Sequence, residues 1–326
     1  MKIKDLCSYA PKSKIKAGEA VENAKYIFFT SSADENKRYT DFQFDKEAII
    51  MGTGGNATLH YYNGKFSVST DCLVLFPNSK IKCKYLYYFF KSHMSVLEAG
   101  FKGAGLKHTN KKYIEEINVS EVPDLTTQEK IIFHLDTISG NIEKLNRELE
   151  LFDSLTKARF IEMFGDPVLN ERKFPTLSGA DFFKLSNGRA VPDEKRIEAG
   201  IPAYGGNGIS WYTDEFLMAE DTIVVGRVGF QSGNVHYVIG PLWITDNAMY
   251  ISQYDKDKFN LRFLYELMQH VNFSRFQDAG DLKKITQKPF MTFKYILPSM
   301  DLQQKFVNFK IEVDKSKFHF FYQKNQ

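Results

Sequence analysis

The sequence contains a long internal repeat, and this duplication constrains the fold more than any other feature. The stretch VPDLTTQEK around Pro123 has its counterpart in LPSMDLQQK around Pro298. Two further pairs follow in the same order at nearly the same separation: Gly52 with Gly226, and Thr70 with Thr245. A period this long far exceeds the roughly 20–50-residue units of solenoid proteins. The repeat therefore predicts two similar domains.

Composition limits the class of protein. The chain has 326 residues, of which 43% are hydrophobic and 25% charged, as is usual for a soluble globular protein of about two domains. A net charge of +3 is too small for a nonspecific nucleic-acid coat but allows a local basic face. The cysteines at 7, 72 and 83 have no C-x-x-C spacing, which predicts neither disulfides nor a zinc site and fits the cytoplasm. We expect no membrane span, because no run of about 18 apolar residues occurs.

A long central helix is the clearest secondary-structure signal. Thr126-x-x-Glu129 has the pattern of a capping box at a helix start, and Gly165 followed by Pro167 is typical of a helix end. Apolar residues between them alternate at spacings of four and three, as in a coiled coil. This central stripe consists of Ile131, Leu135, Ile138, Ile142, Leu145, Leu149 and Phe152. The pattern predicts a helix over 127–164.

A second, shorter helix is predicted at the matching place in the repeat. Asp301-x-x-Gln304 again resembles a helix cap, and at most about 25 residues follow it. Its apolar residues lie at near-heptad spacing: Leu302, Phe306, Phe309, Val313 and Phe320. We expect the stripes of the two helices to pack against each other in antiparallel fashion.

The rest of each half mixes strand and helix signals. Apolar runs at 47–51 and 221–225 each end at a glycine, as buried strands do. The expected fold is α+β, with two similar mixed α/β domains joined by long antiparallel coiled-coil helices in a pseudo-two-fold repeat. The predicted boundaries are 1–125 for the first domain, 126–166 for the central helix, 167–300 for the second domain and 301–326 for the second helix.

Motifs of catalysis are missing from the sequence. It contains no P-loop, no H-E-x-x-H and no G-x-S-x-G, and its seven histidines lack metal-ligand spacing. Two glycine loops are better candidates for function, since glycine lets a backbone approach a phosphate or base closely. They comprise Gly52, Thr53 and Gly54 in the first half, and Gly226, Arg227 and Gly229 in the second. Arg227 is the best single candidate, because arginine can pair with guanine or bind a phosphate. The alternative interpretation is that both loops are simply tight turns.

Basic segments also recur in both halves. The first half has Lys102, Lys107, Lys111 and Lys112, and the second has Arg275, Lys283 and Lys284. Clusters of this kind near glycines fit loops that touch a DNA backbone. Solvated charged faces are the alternative interpretation.

The chain resembles the specificity (S) subunits of type I restriction-modification systems along essentially its whole length. The motifs involved are Leu125-x-x-Gln128-x-Lys130, KARFIEMFGD at 157–166, VGRVG at 225–229 and QQKF at 303–306. The resemblance implies two target recognition domains, each reading half of a bipartite site in double-stranded DNA. It also implies spacer helices that dock two methyltransferase (M) subunits, within a complex that includes restriction (R) subunits.

The resemblance further implies that the chemistry resides in the partners. S-adenosylmethionine would bind to M, while ATP and Mg would serve R, so no cofactor is expected in this chain. The second helix is shorter than the family pattern. A protein scaffold without sequence-specific DNA binding is the alternative function. A third interpretation, an autonomous DNA-modifying enzyme, is disfavoured because the catalytic motifs are missing. The target bases are not specified by any motif in the sequence.

Overall fold

The computed structural model describes residues 1–190, 192–278, 280 and 283–324, with side chains described up to residue 319. The chain divides into two compact units, Met1–Glu143 and Lys144–Gln326, and the division falls inside one long helix. In the described part of the chain, no helix is long and apolar enough to cross a membrane.

The first unit is built on a six-stranded sheet in the order β1-β6-β4-β5-β2-β3, in which only β2 and β5 pair in parallel. Its strands are β1 (Cys7–Tyr9), β2 (Tyr26–Phe29), β3 (Arg38–Tyr39), β4 (Phe44–Gly52), β5 (Leu59–Val68) and β6 (Cys72–Pro77). Its helices are α1 (Ile3–Leu6), α2 (Cys83–Ser92), α3 (Met94–Glu98), α4 (Lys111–Glu116) and the first part of α5 (Leu125–Phe164).

The central strand β4 is buried on both faces, as its apolar run predicts. Ile49 and Met51 point into one core together with Leu86 of α2. Ala48 and Ile50 point into a second core. Because side chains alternate along a strand, one apolar run supplies both cores.

The second unit repeats the central part of this arrangement. Its strands are β7 (Thr176–Ser178), β8 (Phe183–Asn187), β9 (Ile201–Gly205), β10 (Gly208–Thr213), β11 (Thr222–Gly226), β12 (Val235–Val238), β13 (Trp243–Ile244), β14 (Ala248–Tyr254) and β15 (Lys294–Ile296). Its helices are α6 (Leu261–Val271), α7 (Lys288–Thr292) and α8 (Met300–Lys324), with the last part of α5. Strand β11 lies between β12 and β14, just as β4 lies between β5 and β6. The duplication inferred from sequence is thus present in the sheet topology.

The long helix α5 was predicted closely, but its cap was not. It spans 40 residues, or roughly 60 Å, and begins at Leu125 rather than at 127. The capping residue is Asp124, whose carboxylate accepts from the backbone N–H of Thr127 at 2.9 Å and from its hydroxyl at 2.8 Å. Glu129, the expected capping-box partner, instead pairs with Lys82 at 2.7 Å.

The predicted cap of α8 was wrong in the same way. The helix begins at Met300, and the hydroxyl of Ser299 accepts from the N–H of Leu302 at 3.4 Å. Asp301 lies in the first turn and pairs with Lys305 at 3.0 Å. The true caps, Asp124 and Ser299, each follow directly after the proline of the repeat. They occupy matching places in the repeat, two residues before the predicted caps Thr126 and Asp301.

Within the second unit, α8 packs antiparallel to the last part of α5. Phe306 packs against Phe160 and Phe164 with ring centroids 5.4 and 5.7 Å apart. Further along α8, Lys317 bonds to Asp153, which lies earlier in α5. The antiparallel orientation predicted for the two helices is therefore present here, although Phe160 and Phe164 lie beyond the predicted stripe, which ends at Phe152. Phe320 lies outside the described side chains.

The central stripe has different surroundings in the two units. In the first unit, Ile131 and Leu135 line a groove of about 530 Å³ together with Tyr85 and Tyr88 of α2. Farther along α5, Ile138 is 54% exposed, and Ile142, at 40%, is also exposed. In the second unit, Leu145, Leu149 and Phe152 are half-buried. Helix α2 therefore supplies a neighbour for the start of the stripe.

A buried glutamine holds the start of each of the long helices α5 and α8. Gln128 accepts from the backbone N–H of Lys82, just before α2, at 2.7 Å, and its amide nitrogen donates to the carbonyls of Lys80 and Pro123 at 3.2 and 2.7 Å. Both Gln128 and Gln303 have no exposed surface.

Gln303 makes the same three bonds in the second unit. It accepts from the N–H of Asn260, just before α6, at 2.9 Å. Its amide nitrogen donates to the carbonyls of Lys258 and Pro298 at 2.9 and 3.0 Å. Each glutamine thus ties the start of the long helix to the start of a helix within the domain.

We expect Gln303→Ala to lower the free energy of unfolding of the second unit by about 3 kcal/mol, since it leaves buried backbone groups without partners. Urea unfolding measures this loss, and faster amide hydrogen exchange at Asn260 localises it. Gln304→Ala is the matched control, because Gln304 is exposed and should cost less than about 1 kcal/mol. Equal losses in the two variants would contradict the role of Gln303.

Candidate nucleic-acid interface

The first glycine loop follows directly from the end of β4. The hydroxyl oxygen of Ser31 accepts from the N–H groups of Thr53 and Gly54 at 3.1 and 3.2 Å and donates to the carbonyl of Asp71 at 2.5 Å. The same carbonyl accepts from the N–H of Thr53 at 2.8 Å. Ser31 is a structural residue that the sequence did not reveal, because its partners lie in distant segments of the chain.

The basic segment of the first unit is hydrogen-bonded to this loop. Residues 102–108 form a hairpin closed by backbone bonds of 3.0 Å between its two ends. The N–H of Gly55 donates to the carbonyl of Lys107 at 2.9 Å, and the N–H of Thr109 donates to the carbonyl of Thr53 at 3.0 Å. Two segments that were selected separately from the sequence therefore form one surface.

The second unit contains the same pairing. The N–H of Gly229 donates to the carbonyl of Lys283 at 2.8 Å, and the N–H of Ile285 donates to the carbonyl of Arg227 at 3.0 Å. Donors and acceptors correspond one to one with those of the first unit and occupy matching places in the sequence repeat. In both units the backbone holds the two segments together, so the cationic side chains are not needed for this contact.

The glycines have a clear structural purpose. Gly52 and Gly226 are buried; a Cβ on Gly52 would lie 2.8 Å from Cα of Ser31, and one on Gly226 would lie 2.7 Å from the carbonyl oxygen of Gly206. Gly55 and Gly229 have φ angles of +83° and +87°, which favour glycine. Gly52 and Gly226 thus shape the loops rather than present a surface, whereas Thr53 and Gly54 are half-buried.

Five predicted DNA-contacting cations border the paired loops. Lys102, Lys107, Arg227 and Lys284 are exposed, and Lys283 is half-buried. Among the described residues, no carboxylate lies within 4.0 Å of any of these five side chains. The guanidinium of Arg227 donates to the backbone carbonyl of Asp246, a neutral group, at 3.5 Å.

The remaining predicted cations differ in their contacts. Lys111, at the start of α4, lies 3.5 Å from Glu115 and 4.5 Å above the ring of Tyr9. Lys112 next to it is exposed. The guanidinium of Arg275 lies 4.8 Å from the ring centroid of Phe276. Lys111 thus has an acidic and an aromatic partner in the protein, and Arg275 has an aromatic one.

Gln277 is a second residue that sequence reasoning missed. Its side-chain amide donates to the carbonyl of Phe230 at 3.1 Å and also to that of Ser232. These bonds fasten the turn after the second glycine loop to the segment that contains Arg275. Within the described residues, no group of histidine, cysteine or acidic side chains could hold a metal ion.

Comparisons with known proteins identify the family of the chain. The family model described as "Type I restriction modification DNA specificity domain" matches residues 1–151 and 174–322. A Mycoplasma pneumoniae protein provisionally named a type I specificity subunit is 25% identical and covers 93% of this chain and 86% of its own length. The specificity subunit of the Escherichia coli enzyme EcoDI is 26% identical over 44% of this chain and 32% of its own length.

A solved structure has the same fold. The crystal structure of a type I restriction-modification S subunit from M. genitalium matches with a TM-score of 0.75 and 18% identity. The match covers all of this chain and 91% of that one.

We expect Gly226→Ala to destabilise the second unit by about 2 kcal/mol, because the added methyl group has no room beside the carbonyl of Gly206. Thermal unfolding and amide exchange around Arg227 measure the effect. Gly105→Ala is the control, since a Cβ there meets nothing within 4 Å; it should change stability by less than about 0.5 kcal/mol. A neutral Gly226→Ala would show that the loop does not need the close approach.

Proposed function

The chain belongs to the type I restriction-modification DNA specificity family, and we propose that each of its units reads one half of a bipartite site in double-stranded DNA. As a member of this family it is a DNA-specificity subunit and not a catalytic one. The observation that supports the bipartite proposal is the paired glycine loop and basic segment, which recurs in both units with the same backbone bonds.

The charges at the paired loops suit this role. Lys107 in the first unit and Lys283 in the second are placed by the same backbone contact, because the carbonyl of each accepts from a loop glycine. Lysines so placed can neutralise phosphates, which supplies affinity without reading sequence. Arg227 can in addition pair with the O6 and N7 atoms of a guanine.

Type I specificity subunits assemble with other subunits of their complex, and exposed apolar residues on α5 offer a surface for this. In the first unit, Phe133 is 67% exposed. In the second, Leu151 and Leu155 are also exposed. We propose that these residues, with the exposed members Ile138 and Ile142 of the central stripe, dock methyltransferase subunits, two per complex.

The remaining chemistry is proposed to lie outside this chain. Methyltransferase subunits would bind S-adenosylmethionine, and restriction subunits would use ATP and Mg. The complex would act in the cytoplasm, where its DNA is.

Co-expression with a methyltransferase subunit, followed by mapping of methylated adenines, tests the function directly. The expected result is one motif with two short specified halves around a gap of fixed length. An assembled complex that methylates no such motif would favour the scaffold interpretation instead.

Removal of loop cations should weaken DNA binding and reduce its salt dependence. We expect Arg227→Ala combined with Lys283→Ala to make the negative slope of log K against log salt concentration shallower by about 2, since each lost phosphate contact contributes about 1. Lys107→Ala should make it shallower by about 1. Lys294→Ala removes the same charge from an exposed position in β15 and serves as the control. Unchanged slopes in the loop variants would contradict the choice of these residues.

Docking through α5 can be separated from DNA binding. We expect Phe133→Glu to weaken methyltransferase binding at least tenfold, because it places a charge in an apolar contact. The DNA affinity of the isolated chain should be unchanged. Asn141→Glu, at an exposed polar position of the same helix, controls for the added charge. Analytical ultracentrifugation of the mixed subunits measures assembly, and full assembly of Phe133→Glu would exclude this surface.

A further inference from the structure

Phe230 is the most exposed large apolar residue among those that the structure describes. Its side chain is 90% exposed, whereas the next most exposed, Leu106 and Phe318, reach 71%. Single exposed apolar residues are common and need no explanation by themselves. Phe230 differs from them because hydrogen bonds hold the backbone of its turn and because the two segments joined there carry Arg227, Lys283 and Lys284.

The turn that carries Phe230 is held by hydrogen bonds from several directions. Before it, the N–H of Gly229 donates to the carbonyl of Lys283 at 2.8 Å. The carbonyl of Gly229 accepts from the N–H of Ser232 at 3.0 Å, and the carbonyl of Phe230 accepts from the side chain of Gln277. The ring therefore projects from a fixed support, and little backbone entropy would be lost if it contacted a partner.

The surroundings of Phe230 indicate what that partner is. Arg227 lies three residues before Phe230 in the same loop. The carbonyl of Lys283 accepts from the N–H of Gly229, and Lys284 follows Lys283 in the chain. An apolar protein pocket placed over Phe230 would need acidic groups to match these cations. DNA meets both requirements, because its phosphates pair with the cations and the flat faces of its bases accept an aromatic ring.

We propose that Phe230 is an apolar wedge that packs against the faces of DNA bases in the half-site read by the second unit. This inference rests on the proposed function and adds a specificity-determining residue to it. Proteins that insert apolar side chains at a base step partly unstack that step and favour sequences that deform easily. Phe230 would therefore favour half-sites in which the base step that it contacts unstacks at low energetic cost.

The wedge is a property of one half of the repeat. In the first unit, Gly55 has the same positive φ and the same bond to the basic segment as Gly229. The next residue there is Asn56, which is polar. We therefore expect the wedge to affect only one half of the bipartite motif.

Phe230→Ala in the complex with the methyltransferase subunit tests the proposal. After the motif of the unaltered complex has been mapped, binding is measured on a duplex that contains it and on duplexes altered at each position. We expect Phe230→Ala to weaken binding about tenfold or more and to relax selection at adjacent positions of a single half-site. Phe230→Trp, which keeps an aromatic face, should retain most of the affinity.

Ile239→Ala is the matched control. Ile239 is 66% exposed in the same unit, but it follows Val238, which pairs with Thr222 at the end of β11 away from the turn. We expect the DNA affinity and the methylated motif of Ile239→Ala to equal those of the unaltered chain. Thermal unfolding of both variants checks that neither change disturbs the fold.

The salt dependence of DNA affinity distinguishes the contribution of Phe230 from that of the loop cations. Phe230→Ala should lower affinity by the same factor at every salt concentration, because it removes no phosphate contact, whereas loss of Arg227 changes the slope. In addition, 2-aminopurine placed at the affected step should fluoresce more strongly with the unaltered complex than with Phe230→Ala, since its fluorescence rises on unstacking.

Each other outcome overturns the proposal. If Phe230→Ala binds and methylates like Ile239→Ala, the wedge is wrong while the proposed function stands. If Phe230→Ala fails to assemble with the methyltransferase, the residue contacts protein instead. If the unaltered complex methylates no bipartite motif, the proposed function fails and the wedge fails with it.

Discussion

A fully buried glutamine at the start of each long helix is the contact on which the repeated architecture depends. A side-chain amide without access to water must find all its partners within the protein. Gln128 and Gln303 find theirs on two neighbouring segments, the proline before the long helix and the loop that begins a helix of the domain. The start of each long helix and its domain are therefore tied together, and this connection is present in both halves of the duplication.

The paired loops follow a different physical rule, since only backbone atoms join them. The carbonyls of Lys107 and Lys283 accept from glycine N–H groups, and the charged ends of the same residues take no part in these bonds. Because the hydrogen bonds do not depend on side-chain identity, the outward-facing residues can differ without loss of the contact. Such a division suits a surface whose task is to read sequence, for which side chains must vary while the backbone stays in place.

The sequence predicted what local patterns determine. The repeat, the sheet strands at 47–51 and 221–225 and the extent of α5 all follow from periodicity and spacing. The helix caps did not follow, because Thr126-x-x-Glu129 fits the capping-box pattern while Glu129 is drawn to Lys82, a partner in another segment. Ser31, Gln128 and Gln277 act through partners distant in sequence. No local pattern encodes such pairs, so only the folded structure reveals them.

The two halves agree where geometry is demanding and differ where it is not. Gly55 and Gly229 share a positive φ and a bond to the basic segment, since any other residue would be strained there. The next position is free of that constraint, and it holds Asn56 in one half and Phe230 in the other. A duplicated framework with different tips can present different chemistry to two half-sites. The asymmetry of the target would then arise at the turn after each glycine loop, while the backbone that supports the turn stays the same.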